Sequence, residues 1–255
     1  PGIKKEITRH PSSLRHLPPQ DGDEVELKYT LSLKVGDREV DSSSSKEQPF
    51  VYKVGFADAI EGLALGVKTM RKGEHARFVV AAPHAYGEAG NTDLGVPPNS
   101  TMVLEVELVK CPLREDLFED GGAIKLEVRD APDGRHPRPS DEVQITYKVT
   151  VTDSGVIMNQ KGGVYKIGGE QIGPLGRVFD KALLSMKRGD EVLVTCQPQY
   201  TFAAGQYKGK VAVVSIALEE IFEVHDMSLG KHDSTVLRKR IKEGSAKDRI
   251  HDTTT

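Results

Sequence analysis

The stretch DEVELKYTLSL (residues 23–33) returns 118 residues later as DEVQITYKVTV (residues 141–151). Both alternate. Val25, Leu27, Tyr29, Leu31 and Leu33 share one face of the first; Val143, Ile145, Tyr147, Val149 and Val151 match them in the second. Period two over this length predicts a half-buried strand. Two more pairs follow in the same order. TMRKGEHARFVV (69–80) matches SMKRGDEVLVTC (185–196) at an offset of 116, and FVYKVG (50–55) matches GVYKIG (163–168). Ordered matches at a nearly constant offset read as a tandem duplication.

That reading divides the chain. The first unit takes residues 1–113, the charged stretch REDLFEDG (114–121) links, and the second unit takes residues 122–224. In the tail, residues 225–255, STVLRKRIKEG (234–244) resembles GIKKEI (2–7) and AIKLEV (123–128). It is expected to be the first strand of a truncated third unit, poorly ordered without its partners. Within unit one only DAIEGLALGVKTM (58–70) reads as helix. Ile60, Leu63, Val67 and Met70 form one apolar stripe, and Asp58 with Glu61 has the capping-box spacing. One short amphipathic helix and roughly five strands share a core only if the sheet curls over the helix. The fold class is therefore α+β, two tandem units, each a curled antiparallel five-stranded sheet wrapped over one short helix.

Composition narrows the function classes. The chain has 255 residues, 37% of them hydrophobic, a net charge of −3 and two cysteines, Cys111 and Cys196. This is neither a disulfide framework nor a polyelectrolyte, and a reducing, cytoplasmic setting is expected, with the nucleus also open. The longest apolar stretch, residues 211–218, is too short to span a membrane, so no membrane role is expected. Pro1 in place of Met and the abrupt Thr-Thr-Thr end suggest a piece of a longer protein. No histidine pair has zinc-type spacing, so no metal is expected. VDSSSS (40–45) lacks a nucleophile elbow and reads as a hydroxyl-rich turn. Arg238, Lys239, Arg240 and Lys242 read as a solvated strand edge, and no nucleic acid is expected.

What remains is PHAYGEAGNTDLGVPPNSTMVLEV (83–106) and the apolar residues that meet it. Adjacent prolines cannot sit in a central strand, so residues 88–98 are a loop, longer than a plain hairpin needs. Tyr29, Phe50, Ile60, Leu63, Tyr86, Val96 and Leu104 fall at element ends. On pattern alone they read first as core.

Unit one resembles the FKBP-type peptidyl-prolyl cis-trans isomerases along nearly all its length. KYT (28–30), VDSS (40–43), PF (49–50), AIEGLALGVKTMRKGE (59–74), AYGEAG (85–90) and VPPNSTMVLEVEL (96–108) carry the resemblance. The tandem arrangement is similar to the large multidomain immunophilins that partner chaperones. The resemblance implies a shallow apolar pocket formed by Tyr29, Asp41, Phe50, Ile60, Leu63, Tyr86 and Leu104. Val40, Ala59, Leu94 and Val96 contact the ligand there. It implies isomerisation of Xaa-Pro bonds without a cofactor. Implied ligands are proline-containing peptides, client proteins and macrolides of the rapamycin type. Docking to heat-shock protein 90 is implied only through a C-terminal region beyond this chain. Three positions depart from the family pattern. Leu63 stands where tryptophan is usual, and Leu104 and Val40 where phenylalanine is, so weakened activity is expected. Unit two departs further: Phe202 replaces Tyr86, Gly163 stands opposite Phe50, and Phe179 is expected to fill the pocket floor. Counting to Ile216 as the counterpart of Leu104, its loop is about four residues shorter. Unit two is expected to be inactive. The competing reading is a non-catalytic co-chaperone scaffold whose units only bind proteins.

Overall fold

The alternation of residues 24–33 leaves one face apolar, and in the structure that face is where the core forms. The computed structural model describes residues 2–43, 50–56, 59–132, 134–169, 171–227 and 237–240. The chain divides into two compact units, residues 1–116 and 117–255. Unit one contains β1 (Ile3–Arg9), β2 (Glu24–Leu33), β3 (Glu39–Ser42), β4 (Phe50–Lys53), α1 (Glu61–Val67), β5 (His75–Val80), β6 (Met102–Lys110) and β7 (Arg114–Asp116). Its antiparallel sheet runs β1-β5-β6-β2-β3, with β4 on the same partner, β2. The sheet is thus five positions wide, and two short strands share the last position. Ser44 to Pro49, between them, lie outside the described residues.

The helix is shorter than the stripe predicted. It begins at Glu61, Ile60 is its N-cap without a side-chain hydrogen bond, and it ends at Val67. With Ile60 as N-cap, Glu61 is the first residue of the helix rather than the third, and its carboxylate accepts from His84 Nδ1 at 2.9 Å. Asp58 lies outside the described residues. Met70 still joins the core through a tight turn, its N–H donating to Val67 O at 3.0 Å. Gly62 and Gly66 let the helix lie close on β5. A Cβ at Gly62 would fall 2.6 Å from Val80 Cγ1, and one at Gly66 would fall 3.1 Å from the Phe78 ring.

Unit two repeats the plan with β8 (Ala123–Arg129), β9 (Glu142–Val151), β10 (Gly155–Lys166), α2 (Gly176–Leu184), β11 (Glu191–Cys196) and β12 (Ala212–Asp226). Sheet order is β10-β9-β12-β11-β8, so the continuous β10 takes the place of β3 and β4. A polar latch recurs as well. Lys5 donates to Thr69 O at 2.8 Å, beyond the C-terminus of α1 where a cation suits the dipole, and meets Glu74 at 2.5 Å. Glu74 is buried and also accepts from the Arg71 N–H. At the matching positions buried Lys125 donates to Ser185 Oγ at 2.7 Å, and Asp190 accepts from the Lys187 N–H at 2.6 Å.

Two expectations change. The tail is not without a partner throughout: β13 (Leu237–Arg240) pairs antiparallel with the end of β12, and Lys239 meets Glu142 at 2.5 Å. The rest of residues 228–255 lies outside the described residues. The stretch 114–121, read as a linker, is built into both units. Arg114 forks onto Asp23 at 2.5 and 2.7 Å, and Leu117 is buried in the core of unit two.

The Asp23 pair sets an acid limit. Burial raises the carboxyl pKa, but hydrogen bonds from Arg114 and the Gln20 N–H, with the Arg114 charge, outweigh it and hold it below the usual range. A depressed carboxylate stabilises the fold above its unfolded value, near pH 4, and that contribution is lost as pH falls through the folded value. Arg114→Ala strands a carboxylate that is only 8% exposed. It is expected to cost about 2–3 kcal/mol at neutral pH and to flatten the acid limb, as urea titrations from pH 3 to 7 will read.

Candidate functional site

The structure places ten of the eleven expected site residues in or against one apolar cluster. Leu63, Val96 and Leu104 are buried in it, and Tyr29, Val40, Phe50, Ala59, Ile60, Tyr86 and Leu94 pack partly buried around them. The eleventh, Asp41, is tied to the group by the Tyr29 hydroxyl, which donates to its Oδ2 at 2.7 Å. Strand pairing explains the assembly. Tyr29 on β2 lies beside β3, which supplies Val40 and Asp41, and Leu27 on β2 pairs with Phe50 on β4. Leu31 of β2 and Phe78 of β5 flank Leu104 on β6. Helix α1 supplies Leu63 beneath.

The aromatic side is ordered by ring contacts. Tyr29 and Phe50 meet edge to face at 5.4 Å and 74°, and Phe50 stacks on Tyr52 at 6.2 Å. The serine-rich run serves the strand edge: Tyr29 N–H donates to Ser43 Oγ at 2.7 Å, and Ser42 N–H to Asp41 Oδ1 at 2.9 Å. Burial, then the hydrogen bond and charge of Asp41, then Tyr86, push the Tyr29 phenol well above its ordinary value. Burial and the Asp41 charge push Tyr86 up too. Both phenols therefore stay protonated at physiological pH. The Tyr86 hydroxyl and the Ile60 N–H donate to no group among the described residues.

The loop over this cluster is braced rather than slack. Tyr86 follows a 3-10 turn, Ala82–His84, and Gly87 N–H folds back to Ala82 O at 2.7 Å. Asn91 and Val96 exchange backbone bonds of 2.9 and 2.7 Å, and Asn91 Oδ1 accepts from the Leu94 N–H at 3.0 Å. Arg38, at the turn before β3, donates to Gly95 O. Sequence reasoning missed Arg38, because nothing local marks an exposed arginine as a loop contact. Among the described residues no group of three or more metal-ligating side chains occurs, and no helix is long and apolar enough to cross a membrane.

The pattern that defines the family described as "FKBP-type peptidyl-prolyl cis-trans isomerase" matches residues 16–109 and again 133–225. The chain belongs to that family. One FKBP copy falls within each unit. Among similar proteins, mouse "Peptidyl-prolyl cis-trans isomerase FKBP4" is 30% identical over 207 residues, 80% of this chain and 43% of the mouse protein. Drosophila melanogaster "FK506-binding protein 59" is 29% identical over 204 residues, 80% of this chain and 45% of the fly protein. This chain thus spans less than half of either relative. The crystal structure of the three FKBP domains of wheat FKBP73 is similar at 25% identity and a TM-score of 0.48, covering 86% of this chain and 94% of that one.

The second FKBP copy keeps the register but not the residues. Gly163 pairs with Ile145 as Phe50 pairs with Leu27, so it does occupy the Phe50 position. Phe179 is buried, 5.1 Å from Tyr147 edge-on. The count to Ile216 is corrected. Leu104 pairs with Leu31 and Phe78, and the residue so placed in copy two, between Val149 and Val194, is Val214. Eighteen residues separate Tyr86 from Leu104, but only twelve separate Phe202 from Val214. The second loop is six residues shorter, not four.

Proposed function

We propose that unit one is a peptidyl-prolyl cis-trans isomerase acting on Xaa-Pro bonds, of reduced power, and that unit two is catalytically silent. The observation that carries this is the half-buried ring of Tyr29, Phe50, Ile60 and Tyr86 on a buried floor, with Asp41 bonded to Tyr29 at its edge. Rotation about a prolyl amide meets a barrier of roughly 18–20 kcal/mol set by resonance. No bond breaks, so no nucleophile is required. The twisted transition state has lost amide resonance and much carbonyl polarity, and an apolar enclosure favours it over the planar ground state. In this reading Phe50 and Leu104 wall the proline ring, with Val40 and Val96 beside it. The Tyr86 hydroxyl and the Ile60 N–H donate to the peptide carbonyls. Leu63, Leu104 and Val40 offer less aromatic surface than the usual residues, which loosens the grip.

Macrolides of the rapamycin type belong to the same pocket, weakly bound. Client proteins are the natural substrates, and heat-shock protein 90 would be met only through residues outside this chain. β13 is proposed as the opening of a further unit. The two buried thiols suit a cytoplasmic or nuclear setting. The competing reading, a scaffold that binds without catalysing, draws support from the same three aromatic losses.

A coupled prolyl-isomerisation assay on the full chain separates the two. The wild type is expected to exceed the uncatalysed rate, and Tyr86→Phe to lose about 5–10-fold in kcat/KM through the lost hydrogen bond. With both phenols raised and no general base, the rate is expected to stay flat from about pH 6 to 9. No catalysis by the wild type leaves the scaffold reading standing.

A further inference from the structure

We propose that unit two has a binding site of its own, for an extended uncharged peptide segment that inserts an asparagine or glutamine side chain. A cavity of about 260 Å³ lies at the place that corresponds to the unit-one site. Ile145, Tyr147, Gln160, Gly163, Tyr165 and Gln171 line it. Nothing in this inference requires unit one to be active.

The register shows what has changed there. Gly163 removes the ring that Phe50 supplies in unit one, and the Gln160 side chain lies over the glycine instead. A Cβ at Gly163 would fall 2.7 Å from Gln160 Cγ and 3.0 Å from its Nε2. A bulge between Gln160 and Gly163 aims this carboxamide. Gln171 accepts from the Lys166 N–H through Oε1 at 2.9 Å, and its Nε2 donates to no described group. Tyr147 differs from Tyr29 in the same way, since its hydroxyl has no carboxylate partner among the described residues. Tyr165 donates to Asp180 Oδ1 at 2.7 Å, and the same oxygen accepts from the Gly168 N–H at 2.9 Å, so the Tyr165 hydroxyl is already used as a donor.

The lining residues are all neutral. A charged ligand would be desolvated there without a partner, and a hydrocarbon would leave the carboxamides unsatisfied. A primary amide both donates and accepts, which the two glutamines and the Tyr147 phenol match. The strand beside the cavity indicates how that amide is delivered. Among the described residues β10 is the edge of its sheet, so, apart from the Lys166 N–H held by Gln171, its outer backbone groups are available to an added strand. Val156 and Val164 stand 50% and 54% exposed along it.

The test is an NMR titration of the labelled full chain with acetylated, amidated Thr-Val-Gln-Val-Thr. Saturable shifts are expected at Tyr147, Gly163 and the rest of β10. Binding is expected to weaken about tenfold or more when the peptide glutamine becomes leucine or glutamate. Gly163→Phe, which restores the ring at a backbone conformation open to any residue, should abolish the shifts. Gln160→Leu should reduce them without altering the melting temperature, and Phe50→Ala should leave them intact. The proposal is overturned by an absence of shifts at about 5 mM peptide. It is equally overturned by equal binding of the three peptides, by survival in Gly163→Phe, or by shifts confined to the Tyr29 and Phe50 surroundings.

Discussion

Phe50→Ala in the full chain is expected to lower kcat/KM for prolyl isomerisation by about 30–100-fold, equivalent to roughly 2–3 kcal/mol of transition-state stabilisation. The ring is the edge-to-face partner of Tyr29 and the stacking partner of Tyr52, so its loss does two things. It removes the proposed wall against the proline ring, and it lets water reach the place where the amide must twist. Tyr29 loses a contact that orients it, though its bond to Asp41 remains. Because Phe50 is only half buried, the fold should lose no more than about 1–2 kcal/mol, less than a fully buried phenylalanine would cost. Phe50→Leu should recover part of the rate. A thermal melt beside the assay separates the two effects. A kcat/KM unchanged within twofold or so would remove Phe50 from the site.

Gly90→Ala is expected to disable the loop while sparing the sheet. Gly90 has φ of 71°, and a Cβ there would fall 2.4 Å from Val96 O, 2.8 Å from Pro97 C and 2.9 Å from Pro98 N. All three are backbone atoms, and two belong to prolines that cannot readily turn aside. The left-handed conformation costs an alanine about 1 kcal/mol and the overlap about 1–3 more, so local loss near 3 kcal/mol is expected. The cheaper outcome is an opened loop, with the Asn91–Val96 bridge broken and Leu94 and Val96 withdrawn. Affinity for a macrolide of the rapamycin type should then fall by about tenfold or more while hydrogen exchange in β2, β5 and β6 stays slow. Tight binding by this variant would mean that the loop takes no part.

The sequence revealed the parts that repeat. Residues 23–33 alternate so strictly that β2, its face and its counterpart could be read directly, whereas the proposed site residues came only from the resemblance to the family, since on pattern alone they read as core. What stayed hidden has physical causes. Ala212, Val214, Ile216 and Leu218 all face inward on β12, so sliding the match by two residues keeps every side chain on its proper face. Only the pairing with β9 and β11 identifies Val214. The helix was overread because Ile60 and Met70 lie on the apolar stripe yet belong to the turns at either end. β13 was misread because its likeness to the two opening strands suggested that it lacked a partner, whereas an overhang of β12 provides one. The exchange of Phe50 for a folded-back Gln160 depends on a bulge, which leaves no periodic mark.

The two loops differ by six residues, yet the strands on either side keep the same partners. Whatever length the connection takes, the scaffold beneath does not register the change. Loop length and strand pairing therefore vary independently between the two copies. A transplant of residues 87–99 into the corresponding gap of the C-terminal copy becomes a rational way to re-equip it.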